Sequence, residues 1–194
     1  MDLQGIRVGF ALTGSFCTLS RVIQELEVLK ISGADIYPIM SEIVWSCDTR
    51  FGKAEDFKKR VTDICGHDII HDIRGAEPIG PKHILDMLIV APCTGNTISK
   101  IANGITDSCV AMASKANLRN NCPLVIAVST NDGLGASAKN IGLLLGRKNV
   151  YFVPFGQDSP QKKPDSLVAD MKKICDTAKS ALDGIQIQPE IVVY

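Results

Sequence analysis

Three short polar segments carry the residue types that hold a phosphate or orient a planar ring. Thr13, Gly14 and Ser15 stand between a predicted buried strand and a predicted helix, where backbone N–H groups and hydroxyls suit an anion. Similar segments, residues 94–97 and residues 129–133, follow two further apolar runs. Helix caps use the same residue types, so each segment alone is typical of capping. Three such segments at one sheet edge favour a phosphorylated ligand.

The elements that must position these segments alternate between strand-like and helix-like patterns. Buried strands are predicted at residues 6–12, 34–40, 87–91, 124–128 and 150–153, and helical patterns at 18–31, 57–65 and 167–182. Such alternation predicts βαβ crossovers. We expect an α/β fold with a three-layer, doubly wound parallel sheet, flavodoxin-like or Rossmann-like, whose ligands bind beyond the carboxyl ends of the strands. Pro38 inside the second strand predicts a place near the sheet edge.

The later part of the chain carries two further expectations. Leu167, Met171, Ile174 and Ala178 predict an amphipathic helix that begins after Pro164. We expect one domain over residues 1–194, with a docking tail at 185–194 that either pairs with another subunit or frays.

Composition excludes several classes of function. The 194 residues contain 21 Lys and Arg and 21 Asp and Glu; this balance argues against a dedicated nucleic-acid or membrane-surface binder. The longest strongly apolar run, residues 87–91, is too short to span a bilayer. The seven cysteines form no C-x-x-C pair, so we expect mostly buried thiols and a cytoplasmic location.

Metal and thiol chemistry have weak support. His67 and His71 flank Asp68, but a short strand would place residues four apart about 13 Å from each other; no metal site is predicted. Cys93 stands at a predicted helix N-terminus, which can lower a thiol pKa, yet no neighbouring base is evident.

The segments around Thr13 and from Ala91 to Ile105 resemble the flavoprotein superfamily, which includes flavin-containing cysteine decarboxylases and flavin prenyltransferases. The resemblance implies FMN as cofactor, often at a subunit interface. It places FMN contacts at Thr13, Gly14, Ser15, Ser41, Thr94, Asn96 and Thr97. It also places Asn131 against the substrate. Asn96 and Asn131 are the candidate catalytic residues, because their amides would orient carbonyl groups of the substrate or the ring.

Residues 49–52, 78–82, 128–132 and 152–158 are similar to one family within this superfamily, the B subunits of dipicolinate synthases of spore-forming bacteria. That resemblance implies a partner, the A subunit of dipicolinate synthase, which binds NAD(P). It implies a homo-oligomer in the mother-cell cytoplasm that works with the A subunit to oxidise dihydrodipicolinate to dipicolinate during sporulation. The implied class is an NAD(P)-linked oxidoreductase acting on a CH–CH group.

Two departures from the superfamily pattern leave alternatives open. The catalytic histidine of the decarboxylases would fall near Pro78, and the nearest histidine, His83, comes five residues later. The phosphate-binding arginine of the prenyltransferases is replaced by the residues that follow Val128. A non-catalytic scaffold with a vestigial flavin cleft is therefore one alternative, and an independent FMN-dependent decarboxylase is a second, disfavoured by the missing histidine.

Overall fold

The computed structural model describes residues 3–194 and contains one seven-stranded sheet. Five strands are parallel and run in the order β2, β1, β3, β4, β5. Their bounds are β1 Arg7–Leu12, β2 Asp35–Met40, β3 Met87–Cys93, β4 Leu124–Thr130 and β5 Val150–Phe152. All of β3 and all but the last residue of β4 are buried, as expected for central strands covered on both faces. The α/β fold predicted from the sequence is confirmed.

Within the described residues 3–194, eight α-helices flank the sheet, in two groups whose members contact one another. One group contains α1 Phe16–Ile31, α2 Glu42–Ser46, α3 Ala54–Cys65 and α8 Ile174–Leu182. The other contains α4 Ile73–Ala76, α5 Gly95–Asn103, α6 Cys109–Arg119 and α7 Ala138–Leu145. Short 3₁₀ helices lie at Glu77–Ile79 and Met171–Lys173. The sequence patterns did not predict α6 or α7.

The β2 strand lies at the sheet edge, as Pro38 predicted. One residue extends the sheet beyond it. Ile70 donates its N–H to the Pro38 carbonyl at 2.9 Å and accepts the Met40 N–H at 2.9 Å. The missing N–H of Pro38 therefore costs no hydrogen bond, because Ile70 pairs with the Pro38 carbonyl and the Met40 N–H and not with the Pro38 nitrogen.

The predicted helix over residues 167–182 is wrong in its first half. Leu167–Ala169 forms strand β7, which pairs antiparallel with the end of β4 and with β6, Phe155–Gly156. Only Ile174–Leu182 is α-helical. Leu167 and Ala169 are buried and Val168 between them is less so. Burial therefore repeats every two residues, as in a strand, and not every 3.6 residues, as in a helix. Strands β6 and β7 also follow residues 150–153, which the sequence predicted as the last strand.

The C-terminal tail pairs with its own chain. Phe155 of β6 donates its N–H to the Glu190 carbonyl and accepts the Val192 N–H, each at 3.0 Å. The Tyr194 hydroxyl donates to the Val168 carbonyl of β7 at 2.9 Å. Gly156 allows this close approach, because a Cβ there would overlap the Val192 carbonyl.

Within residues 3–194, no helix has the length and apolar character needed to cross a bilayer. Four of the seven cysteines, Cys65, Cys93, Cys109 and Cys175, are buried, and none is in a disulfide. Burial raises the pKa of the Cys65 thiol to about 12 and that of Cys109 to about 11. These thiols therefore pack as small apolar side chains.

An ion pair joins two strands at the amino edge of the sheet. Arg7 Nη2 lies 2.6 Å from Asp86 Oδ1, and Arg7 Nε and its backbone N donate to Asp86 Oδ2 at 3.0 and 2.9 Å. The Arg7 side chain beside it holds the pKa of the Asp86 carboxyl below its ordinary value. Both side chains are about two-fifths exposed or less, so solvent screens part of the attraction.

Replacing this carboxylate should reduce stability in a pH-dependent way. A lowered folded-state pKa stabilises the protein above the unfolded value of about 3.9, and this stabilisation is lost as pH falls through the folded-state pKa. Asp86→Asn should lower the unfolding free energy at pH 7 by about 1–2 kcal/mol. Urea unfolding from pH 7 to pH 3 should show the difference narrowing below about pH 4.

The matched control is Asp63→Asn. Asp63 is exposed on α3, and its replacement should change stability by less than about 0.5 kcal/mol. A constant difference between Asp86→Asn and wild type at every pH would contradict the assignment.

Candidate functional site

One buried hydroxyl joins the first two polar segments. Thr13 Oγ1 donates to the Pro92 carbonyl at 2.6 Å and accepts the Thr94 N–H at 3.1 Å. Thr13 is 1% exposed and follows β1, while Pro92 and Thr94 stand at the end of β3. The structure therefore brings both segments together at the carboxyl edge of neighbouring strands, as their positions in the sequence predicted.

Three hydroxyls cluster beside the N-terminus of α1. Ser15 Oγ lies 2.8 Å from Ser129 Oγ, and Thr18 Oγ1 lies 3.1 Å from each of them. Ser129 belongs to β4, so the third polar segment reaches the same place as the first. No side chain caps α1. The Thr18 N–H donates to the Ser15 carbonyl at 3.0 Å, and the N–H groups before it, at the start of α1, are of the kind that bind an anion at a helix N-terminus.

A cleft of about 760 Å³ opens above these hydroxyls. Four of the predicted site residues line it: Gly14, Ser15, Thr94 and Asn131. Its remaining walls come from α1, a turn after α2, the end of β4 and the segment before β7. The other lining residues are Phe16, Cys17, Thr18, Arg21, Arg50, Phe51, Gly95, Ser129, Thr130, Asp158, Lys163, Ser166 and Val168.

The remaining predicted residues lie beside or behind the cleft. Thr13 is buried with its hydroxyl bonded within the protein. Thr97 is buried at the start of α5, where it accepts the Thr94 hydroxyl at 3.1 Å. Ser41 donates its N–H to the Leu12 carbonyl, and its buried Oγ has no hydrogen-bond partner in the described chain. Asn96 is exposed on the first turn of α5, outside the cleft. Ligand contacts by these residues stay predictions.

The loop after β4 is held by a carboxylate. Asp132 accepts hydrogen bonds from the Thr130 hydroxyl and, at 2.9 Å, from the Ser137 hydroxyl. These bonds, first that of Thr130, hold the pKa of Asp132 below its ordinary value. Gly95 at the start of α5 fits directly against this group, since a Cβ there would lie 2.8–2.9 Å from all three polar atoms.

Four charged side chains line the cleft that the sequence patterns did not predict. Arg21 comes from the second turn of α1, Arg50 from the turn after α2, and Lys163 and Asp158 from the proline-containing segment before β7. Arg21 lies four residues after Cys17, so helical spacing alone could have placed it on the face of α1 beside the site. No local pattern brings residues 158–166 to the cleft, because that depends on β7 pairing with β4.

The three histidines lie away from the cleft. His67 Nε2 lies 2.7 Å from Asp35 Oδ1, and the His83 carbonyl accepts from Arg7, so both are near the amino edge of the sheet. His71 stacks on Trp45 with 3.9 Å between ring centroids and lines a separate cavity of about 480 Å³. No group of three or more potential metal ligands occurs within residues 3–194.

Cys93 differs from the sequence expectation. A helix N-terminus was expected to lower its pKa, but the side chain is 0% exposed, and burial raises the pKa of the thiol. Cys93 is the last residue of β3, two residues before α5 begins, and it is a buried packing residue.

Comparison with known proteins agrees with this geometry. The model of the Flavoprotein family matches residues 1–179. The chain is 47% identical over 191 residues to the B subunit of dipicolinate synthase from Bacillus subtilis (strain 168), covering 98% of this chain and 96% of that protein. The chain belongs to the Flavoprotein family.

Two solved structures share the fold of this chain. The B subunit of dipicolinate synthase from Bacillus halodurans is 45% identical, with a TM-score of 0.92 over 100% of this chain and 99% of the other. The FMN-dependent cysteine decarboxylase SpaF is 18% identical, with a TM-score of 0.68 over 94% of this chain and 98% of its own. At that identity, SpaF shares the fold.

Enlarging Gly95 should separate two walls of the cleft. Gly95→Ala places a methyl group against the Thr130, Asp132 and Ser137 cluster, which must shift. We expect a loss of about 1–3 kcal/mol in unfolding free energy, measured by urea denaturation.

The matched control is Gly142→Ala in α7, where a Cβ meets nothing within 4 Å. This variant should be unchanged or up to about 1 kcal/mol more stable. Equal effects of the two substitutions would contradict the close packing at Gly95.

Proposed function

We propose that this chain is the flavin-binding B subunit of an enzyme that oxidises dihydrodipicolinate to dipicolinate together with an A subunit. The proposal rests on the 47% identity over 98% of the chain to a protein of that name. The hydroxyl-lined cleft at the end of β1 and β4 is the single structural observation that carries it. We propose that it works in the mother-cell cytoplasm during sporulation, as a homo-oligomer.

The cleft residues fit FMN. Ser15, Thr18, Ser129 and the free N–H groups of α1 match the acceptor oxygens of a phosphate. Gly14 lets the turn after β1 pack closely on α2, because a Cβ there would meet the Ile43 side chain at 2.8 Å. The unpartnered buried hydroxyl of Ser41 lies next to the same turn through the backbone bond of Ser41 to Leu12. A bound flavin supplies a two-electron acceptor.

The predicted residues divide into two groups. Gly14, Ser15, Thr94 and Asn131 line the cleft and would contact the cofactor or substrate. Thr13, Ser41 and Thr97 would hold the turns that carry those contacts. Asn96, exposed beside the cleft, would reach a ligand that extends over α5 or one shared with a neighbouring subunit. Asn96 and Asn131 would orient ring or substrate carbonyls.

The cleft would bind and orient the cofactor and the substrate, and its side chains would not transfer protons. Its titratable lining groups are Cys17, two arginines, Lys163 and Asp158, and Asp158 is already bonded to Ser166. Dihydrodipicolinate would lose a hydride, to the flavin or to the nicotinamide cofactor of the A subunit, and a proton, to solvent. Its ring becomes aromatic in this step, which supplies the driving force. The chain has no G-x-G-x-x-G motif, so we propose that the nicotinamide cofactor binds to the A subunit.

The independent decarboxylase is disfavoured by the position of its nearest candidate acid. His83 lies at the amino edge of the sheet, opposite the cleft, so no gap in the alignment brings it to the site. An assay of the two purified subunits, separately and mixed, distinguishes a scaffold role from a catalytic one.

Flavin binding should protect one exposed thiol. Cys17 is exposed and lines the cleft, so FMN at ten times its Kd should slow its alkylation by iodoacetamide about tenfold. Peptide mass spectrometry would follow each cysteine, and the visible spectrum would report bound flavin. Cys47 is exposed outside the cleft and serves as the internal control. Equal rates at Cys17 with and without FMN would contradict the assignment.

Product formation should need both subunits. The two purified subunits are assayed separately and mixed, with NAD(P) supplied, by the absorbance of dipicolinate. We expect turnover only in the mixture. Full turnover by the isolated A subunit would favour the scaffold role.

Replacing His83 should have little effect on the rate of the mixed subunits. The rate with His83→Ala should stay within about tenfold of wild type, because a general acid or base contributes ~10²–10⁴-fold. A thousandfold loss of rate would instead assign a proton-transfer role to His83.

A further inference from the structure

Two arginines that line the cleft make no direct contact with a carboxylate in the described part of the chain, residues 3–194. Arg21 and Arg50 form no ion pair and donate no hydrogen bond to any residue from 3 to 194. By contrast, Arg7 and Arg60 each bind a carboxylate. The third cation of the cleft, Lys163, lies 3.8 Å from Asp158, so those two charges offset each other. The cleft therefore presents two guanidinium groups whose donors are unused.

Arg50 stands at the tip of a fixed turn. Thr49 and Gly52 exchange backbone hydrogen bonds of 3.0 and 3.1 Å, and the Thr49 hydroxyl accepts the Phe51 N–H at 3.2 Å. Gly52 has φ +149°, and a Cβ there would lie 2.9 Å from the Phe57 ring. Asp48 ties the turn to α3 by accepting the Ala54 N–H at 2.8 Å. The turn is thus held on both sides, which limits the entropy lost when its tip binds a ligand.

The tip presents an aromatic ring together with the charge. Phe51 is 42% exposed and lines the cleft, and the Arg50 guanidinium carbon lies 4.8 Å from its ring centroid. Stacking of this kind orients a guanidinium, whose planar fork then matches a carboxylate in a bidentate arrangement. An exposed ring beside such a fork suits a ligand that is both planar and anionic.

We propose that Arg21 and Arg50 form a subsite for a planar ring dicarboxylate, each binding one carboxylate, with Phe51 against the ring. The hydroxyl cluster at α1 accounts for a phosphate, so the two arginines serve a second anion. They belong to separate elements, α1 and the turn after α2, which suits two separated charges rather than one. This inference rests on the proposed function and names the residues that select its substrate.

The test measures binding of two probes by calorimetry in calcium-free buffer: dipicolinate, with two carboxylates, and picolinate, with one. Wild type should prefer dipicolinate by about tenfold or more, the value of one charge-assisted bidentate contact. Arg50→Gln and Arg21→Gln should each remove most of this preference. Arg50→Lys should restore part of it, because the charge remains and the planar fork is lost.

The matched control is Arg119→Gln. Arg119 is exposed at the end of α6, near the opposite edge of the sheet, so its loss removes the same charge without touching the cleft. It should leave the preference within twofold of wild type. Because neither cleft arginine has an ion-pair partner within residues 3–194, their variants should unfold close to the wild-type temperature.

Three results would overturn the subsite: no preference for dipicolinate in wild type, an unchanged preference in Arg50→Gln, or equal losses in Arg119→Gln and Arg50→Gln. A parallel FMN titration separates the two anions, since a fall in FMN affinity with unchanged dipicolinate binding would assign the arginines to the flavin phosphate. The assay of the mixed subunits tests the proposed function independently. If the mixed subunits form no product but the preference for dipicolinate over picolinate still depends on Arg50, the proposed function is contradicted and the subsite is supported.

Discussion

The hydroxyl of Thr13 holds the candidate site together. It hydrogen-bonds to the buried Pro92 carbonyl at the end of β3 and to the half-buried N–H of Thr94. A buried polar group without a partner costs about 1–3 kcal/mol, so the hydroxyl fixes the spacing between two strand ends. The N-termini of α1 and α5 both start from these ends. Their direction relative to the cleft therefore depends on one side chain that does not line it.

The cleft has walls of two kinds. One is the carboxyl edge of the parallel strands, where backbone direction alone gathers Ser15, Thr94 and Ser129. The other is the antiparallel addition of β6 and β7 to the end of β4, which brings Asp158, Lys163 and Ser166 to the opposite side. The first wall supplies hydroxyls and N–H groups, and the second supplies Asp158 and Lys163, while the two arginines come from α1 and the turn after α2. In the function that we propose, a flavin phosphate would bind to the first wall, and the substrate would contact both.

Local pattern predicted the first wall and not the second. The parallel strands are long apolar runs, and the turns that follow them carry small polar residues, so their shared edge could be inferred from the sequence. Strand β7 has only three residues, and its apolar positions fit a helix as well as a strand. Its state is decided by the free hydrogen-bonding groups of Ser129 and Thr130 on a distant element. Similarly, Cys93 has the sequence context of an activated thiol, and only its complete burial shows that desolvation dominates.

The C-terminal tail, β6 and β7 form a ladder in which each member depends on the one before it. The tail pairs with Phe155, β6 pairs with β7, and β7 pairs with the last residues of β4, while the parallel core has its own hydrogen bonds. Such an arrangement defines a unit that can open below the cost of global unfolding. We expect the amides of this ladder to exchange their hydrogens faster than those of β1, β3 and β4. Its opening removes the Ser166 and Val168 side of the cleft, so the site can exchange its contents while the parallel sheet stays folded.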